Sequence, residues 1–114
     1  MPPVRPDTPE TASDFVTVGR VGDLPAGQGR QITVNGRFVA LFNLGGTFHA
    51  IDGICLHQGG PLAEGPLTQC IVTCPWHGWQ FDVTTGALVQ NSRVGVTRHD
   101  TRVVGDEVQV RLHD

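Results

Sequence analysis

Residues 31–42 read QITVNGRFVALF, two strand-like runs meeting at Asn35-Gly36. An Asn-Gly pair tolerates the positive φ angles of a type I′ turn, so the stretch predicts a β-hairpin over 31–34 and 37–42. Outward from it, Gly45-Gly46 opens a further strand over 47–51. Strands are predicted over 70–73, 80–83 and 87–89, the last two joined by the turn residues Thr84, Thr85 and Gly86. A final hairpin runs over 101–104 and 108–112, around Gly105-Asp106-Glu107. Short segments rich in Val, Ile, Phe and Thr, each bounded by Gly, Asn or Asp, are the pattern of an all-β domain with antiparallel sheets. Helical periodicity is hard to find.

The chain has 114 residues, room for a single core. Residues 1–14 hold four prolines and several polar groups and read as a flexible tail, which leaves 15–114 as the domain. That tail has no apolar run that could serve as a signal-peptide core, and no later stretch approaches the roughly eighteen apolar residues a membrane span needs. A cytoplasmic, soluble protein is expected. Eight basic against eleven acidic residues, without a Lys/Arg cluster, argue against nucleic acid as a partner. Three cysteines are an odd number for a disulfide framework, and a reducing cytosol keeps thiols free. Metal binding is the better question.

Two segments dense in Gly, Pro, Cys and His interrupt the strands, over 52–66 and 74–79. The first contains Cys55-Leu56-His57 and the second Cys74-Pro75-Trp76-His77, so each loop offers one sulfur and one nitrogen donor. Binding groups concentrate on loops carried by a rigid scaffold. Cys2His2 is also a zinc set, and donor identity alone leaves the metal open. Zinc modules usually pair Cys with Cys and His with His, whereas here each loop mixes the two.

C-x-H followed by C-x-x-H is the pattern by which this chain resembles the Rieske ferredoxin family. The likeness runs through Cys55-Leu56-His57-Gln58-Gly59-Gly60-Pro61-Leu62 and Cys74-Pro75-Trp76-His77-Gly78-Trp79-Gln80-Phe81-Asp82, then Thr85-Gly86, and covers nearly all of the chain after the tail. It implies a Rieske fold with a small cluster-binding subdomain made of two loops, and one [2Fe–2S] cluster per chain. In that family one iron is held by two Cys and the other by two His. The resemblance thus assigns Cys55 and Cys74 to the inner iron, and His57 and His77 to the outer one. High-potential members link the loops by a disulfide, where this chain has Gly60 and Trp76. They also place Ser and Tyr hydroxyls against cluster sulfurs, where it has Trp79 and Phe81, which implies a potential at the low end of the Rieske range.

The function so implied is one-electron transfer from a flavin-containing reductase to a terminal, ring-hydroxylating oxygenase. Partners are expected to dock transiently near His57, His77, Leu56 and Trp76. The chain is not expected to be an enzyme by itself. The alternatives are the small subunit of an assimilatory nitrite reductase and, from another class, a zinc-stabilised interaction module. Elsewhere the plainer reading is preferred. Cys70 is expected to be a small buried side chain in a strand. His49, His99 and His113 stand alone in sequence and read as surface or hydrogen-bonded histidines. Trp79 and Phe81 read equally as core side chains beneath the second loop.

Overall fold

The computed structural model describes residues 15–55, 59–76 and 78–113. They form two antiparallel sheets. Strands β1 (Val16–Arg20), β2 (Gly29–Val34), β3 (Arg37–Leu44), β4 (Thr47–Asp52), β10 (Arg98–Val104) and β11 (Glu107–Arg111) build a six-stranded sheet in the order β1-β11-β10-β4-β3-β2. Strands β5 (Leu67–Thr68), β6 (Ile71–Thr73), β7 (Gln80–Asp82), β8 (Ala87–Leu88) and β9 (Asn91–Gly95) form a five-stranded sheet in sequence order. Helix among the described residues is limited to the 3-10 turns Val21–Asp23 and Leu62–Glu64, neither long enough to cross a membrane.

The turns follow from local chemistry. Asn35 (φ 50°) and Gly36 (φ 81°) both take positive φ, as a type I′ turn demands, and pair Val34 with Arg37. Gly45 and Gly46 turn β3 into β4, and Gly105 turns β10 into β11. Glu107, expected in that last turn, instead pairs with Val104 and opens β11. Cys70 likewise lies in a turn, after Gln69 at φ 55°, and β6 begins at Ile71. Three strands, β1, β5 and β9, were not legible. The latter two are short or fully exposed, and β1 gains its order from pairing with β11 at the far end of the chain.

Period-two alternation lets β3 serve two cores at once. Val39 and Leu41 face one core, with Phe48, Ala50, Val108 and Val110; Ala40 and Phe42 face the other, with Ile51, Leu62, Val72 and Phe81. Each large apolar side chain so buried contributes about 1.5–3 kcal/mol. The second core lies between the sheets, and Cys55 and Cys74 are part of it. Asn43, itself buried, donates from Nδ2 to the carbonyl of Leu24 at 2.7 Å and accepts at Oδ1 from the Gly46 N–H at 2.7 Å. It thereby closes the β3-β4 turn over the preceding loop.

Candidate metal centre

Two loops leave this inter-sheet core, one after β4 and one after β6, and they are built alike. In the first, the Cys55 N–H donates to the Gly60 carbonyl at 2.8 Å and the Gly59 N–H donates back to the Cys55 carbonyl at 3.0 Å. In the second, the Cys74 N–H donates to the Trp79 carbonyl at 2.7 Å and the Gly78 N–H donates back to the Cys74 carbonyl at 3.0 Å. The glycine at the fourth position after each cysteine takes positive φ, 76° at Gly59 and 81° at Gly78, a conformation costly for other residues. Each cysteine is therefore the rigid base of a closed loop. Both bases are buried, Cys55 being 3% and Cys74 2% exposed.

The loops are tied to the scaffold below them. An Ile54–Pro61 bridge closes the neck of the first, the Gly53 N–H donates to the Phe38 carbonyl at 2.9 Å, and the Leu62 N–H donates to the Gly53 carbonyl at 2.9 Å. Gly65 then passes so close to β6 that a Cβ on it would lie 1.8 Å from the Thr73 carbonyl oxygen. The loops meet at Gly60, where a Cβ would lie 2.6 Å from Cys74 Sγ and 3.3 Å from Trp76 Cβ. Positions 60 and 76, identified by resemblance as those a disulfide joins in high-potential relatives, are thus neighbours here.

The structure places Cys55 and Cys74 as two buried sulfurs at the bases of facing loops. His57 and His77, with Leu56 and Gln58, lie outside the described residues, as does the expected tail over 1–14. Phe81 is fully buried in the core shared with both cysteines, and Trp79 packs partly buried against it, as the core reading held. Cys70 packs partly buried against the same core.

A polar brace beneath the first loop had no signal in sequence. Asp52, the last residue of β4, accepts from Arg37 Nη2 at 3.0 Å and from the fully buried His99 Nε2 at 2.9 Å. The His113 backbone N–H donates to His99 Nδ1 at 3.0 Å, which fixes the neutral ring with its proton on Nε2, facing Asp52. Arg37 Nη1 donates to the His113 carbonyl at 2.7 Å. Burial holds His99 below the ordinary imidazole range, outweighing the opposing effect of its hydrogen bond to Asp52. On the neighbouring residue, the Arg111 guanidinium bonded to Asp100 holds that carboxyl low. Burial, with Arg98 nearby, also lowers His49. The members of this brace come from residues 37, 52, 99 and 113, a spread that no local motif encodes.

Two buried thiols, with a histidine in the sequence of each loop, are donor types that suit an iron–sulfur cluster with mixed ligation. Comparison with known proteins bears on the metal. The family profile described as Rieske [2Fe-2S] domain matches residues 14–101. The ferredoxin component of the alkene monooxygenase system of Xanthobacter autotrophicus is 34% identical over 106 residues, covering 92% of this chain and 87% of that protein. Apoptosis-inducing factor 3 of Mus musculus is 43% identical over 72 residues; the match spans 63% of this chain but only 12% of that protein. Among solved structures, the ferredoxin of carbazole 1,9a-dioxygenase from Nocardioides aromaticivorans superposes with a TM-score of 0.82 at 28% identity, over 87% of this chain and 98% of that one. A complex of reduced oxygenase and oxidized ferredoxin in carbazole 1,9a-dioxygenase matches with a TM-score of 0.79 at 28% identity, over 85% of this chain and 92% of the matched one. A nitrite reductase small subunit from Mycobacterium tuberculosis, described as putative in its own structure, shares the fold at a TM-score of 0.81 and 24% identity, over 88% of this chain and 96% of that one.

Proposed function

The chain belongs to the Rieske [2Fe-2S] domain family, whose cofactor is a Rieske-type [2Fe–2S] cluster, and from that premise we propose that it is a one-electron carrier between a flavin-containing reductase and a terminal oxygenase in the cytoplasm. The observation that carries this reading is the pair of matched loops with buried cysteines at their bases. Cys55 and Cys74 would hold the inner iron, and His57 and His77 the outer one. The bound cluster supplies reversible uptake of one electron.

Everything else is the work of the chain. The core around Cys55 and Cys74 excludes water from the sulfur side, and the closed loops hold the two sulfurs at fixed places on the sheets. Phe81 presents no hydroxyl to a cluster sulfur, which places the potential toward the low end of the roughly −150 to +300 mV Rieske range. Around the loops, Ile54 is 40% and Trp76 57% exposed, and Phe38, beneath Gly53, is 51% exposed. Apolar groups ringing a redox tip suit brief docking to an oxygenase or reductase. The relatives support that partnership, since a ferredoxin component of a monooxygenase and a ferredoxin bound to its oxygenase match most of this chain. The chain acts as a component, with chemistry on substrate left to the partner.

The test is metal and sulfide analysis of the purified chain with electron paramagnetic resonance of the reduced form. Two irons and two sulfides per chain with a Rieske signal are expected, lost in His57→Ala and His77→Ala and kept in His99→Ala. Stoichiometric zinc without sulfide, after growth with ample iron, would refute the reading and favour an interaction module. Reoxidation of the reduced chain by an oxygenase component then tests the partner.

A further inference from the structure

The hydrogen bonds above close each loop on itself, and among the described residues the loops approach each other at Gly65, where a Cβ would lie 3.3 Å from Pro75 Cδ, and at Gly60. There the Gly60 backbone, buried and without a side chain, lies against Cys74 Sγ and the root of the Trp76 indole: a Cβ at this position would stand 2.6 Å from the sulfur and 3.1 Å from Trp76 Cγ. Trp76 belongs to the second loop and Gly60 to the first, so the ring bridges the two. It does so while more than half exposed, whereas Cys74 next to it is buried, at 2% exposed. A large aromatic side chain rooted against a bare backbone, next to a buried cysteine, stands where it can cover that sulfur from solvent.

We propose that Trp76 is a positioning residue, a latch whose indole on Gly60 clamps the second loop to the first and keeps water from the Cys74 sulfur. The proposal rests on the ligand assignment given above for Cys55 and Cys74. Its electrostatic consequence has a definite sign. Two ferric ions, two sulfides and two thiolates cancel in charge, and one added electron leaves one net negative charge. Water stabilises that charge better than apolar surroundings do, so admitting water favours the reduced form. A cluster stripped of its latch should be easier to reduce and easier to lose.

The experiment uses the loaded full chain and the variants Trp76→Ala and Trp76→Phe. It reads midpoint potential by voltammetry and the rate at which visible absorbance bleaches under an iron chelator. Trp76→Ala is expected to shift the potential upward and to bleach several-fold faster, with Trp76→Phe between it and the parent. Failure of Trp76→Ala to load, when Trp76→Phe loads, supports the latch as well. The smaller ring then carries the test alone: faster bleaching with a raised potential supports it, and parent-like values overturn it. Failure of Trp76→Phe to load would show that a ring at this place does not suffice, and would also overturn it. If Trp76→Ala keeps the parent potential and bleaching rate but passes electrons more slowly to an oxygenase, Trp76 only docks partners and the proposal is wrong. A parent chain without iron and sulfide would instead refute the cluster reading itself, a result distinct from all of these.

Discussion

Acidification with and without His99 probes the brace beneath the first loop. Folded, His99 is held below the ordinary imidazole range because it is buried, and its Nδ1 lone pair is committed to the His113 N–H. Unfolded, it titrates near about 6.5. Below that pH the unfolded chain binds a proton that the folded chain refuses, so stability rises with pH through this window and falls as pH drops. One such group contributes at most about 1.4 kcal/mol for each pH unit of the window. His99→Gln removes the titration and, by disturbing two hydrogen bonds, should cost about 1–3 kcal/mol at neutral pH. For a domain of this size that is a fall of roughly 4–8 °C in Tm per kcal/mol.

The assay is urea unfolding of the loaded chain, followed by far-ultraviolet circular dichroism, from about pH 7.5 to about pH 5.5, the interval that spans the free imidazole value. Protons taken up by released cluster ligands and by His49 affect parent and variant alike, so the difference between the two slopes isolates His99. Asp100, whose carboxyl is held low, loses its contribution only at more acid pH. The parent should lose stability more steeply than the variant. Parallel slopes would refute the neutral, buried assignment of His99, and a variant as stable as the parent at neutral pH would refute the brace.

Gly65→Ala should be severely destabilising, because its Cβ would fall 1.8 Å from the Thr73 carbonyl oxygen and drive apart the exit of the first loop and β6. Thermal melts should show a loss of more than about 3 kcal/mol, with cluster loss at lower temperature; a loss below about 1 kcal/mol would mean that the segment yields freely. Phe81→Tyr adds a hydroxyl in the core that contains both cysteines. If it reaches a cluster sulfur the midpoint potential rises, which voltammetry of the intact variant would show, and an unchanged potential would count against missing donors as the cause of a low value.

Turns were the most legible part of this fold, since Asn35-Gly36, Gly45-Gly46 and Gly105 each demand a backbone that few residues supply. Strand ends were less so: Cys70 and Glu107 each fell on the other side of a boundary, where hydrogen-bond pairing decides and side-chain type does not. The two cysteine-bearing loops were legible because Cys beside Gly and Pro between strand runs marks an irregular segment, and Cys55 and Cys74 do sit at their bases, whereas His57 and His77 lie outside the described residues. The likeness of the two loops was half visible, in that Gly59 and Gly78 stand at the same distance from their cysteines, but the closing bonds to Gly60 and Trp79 are backbone bonds with no side-chain signature. Asn43 and the Asp52–His99–Arg37 group could not be read, for a polar residue destined for a buried network looks in sequence like any surface residue.

The pairing of β1 with β11 fixes an order of events during synthesis. Val16 meets Val110, so the larger sheet stays open along one side until residue 110 has left the ribosome. The smaller sheet asks for much less, because β5 to β9 pair only with their neighbours in sequence and close through short turns. Contacts near in sequence form early and distant ones late. The loop that follows β6 can therefore take shape on its hairpins while the chain is still growing. The loop after β4 gains its full brace only when His99 and His113 arrive. The two cysteine loops therefore reach their finished form at different times, the one after β6 first and the one after β4 only once β11 has docked and His113 has met His99.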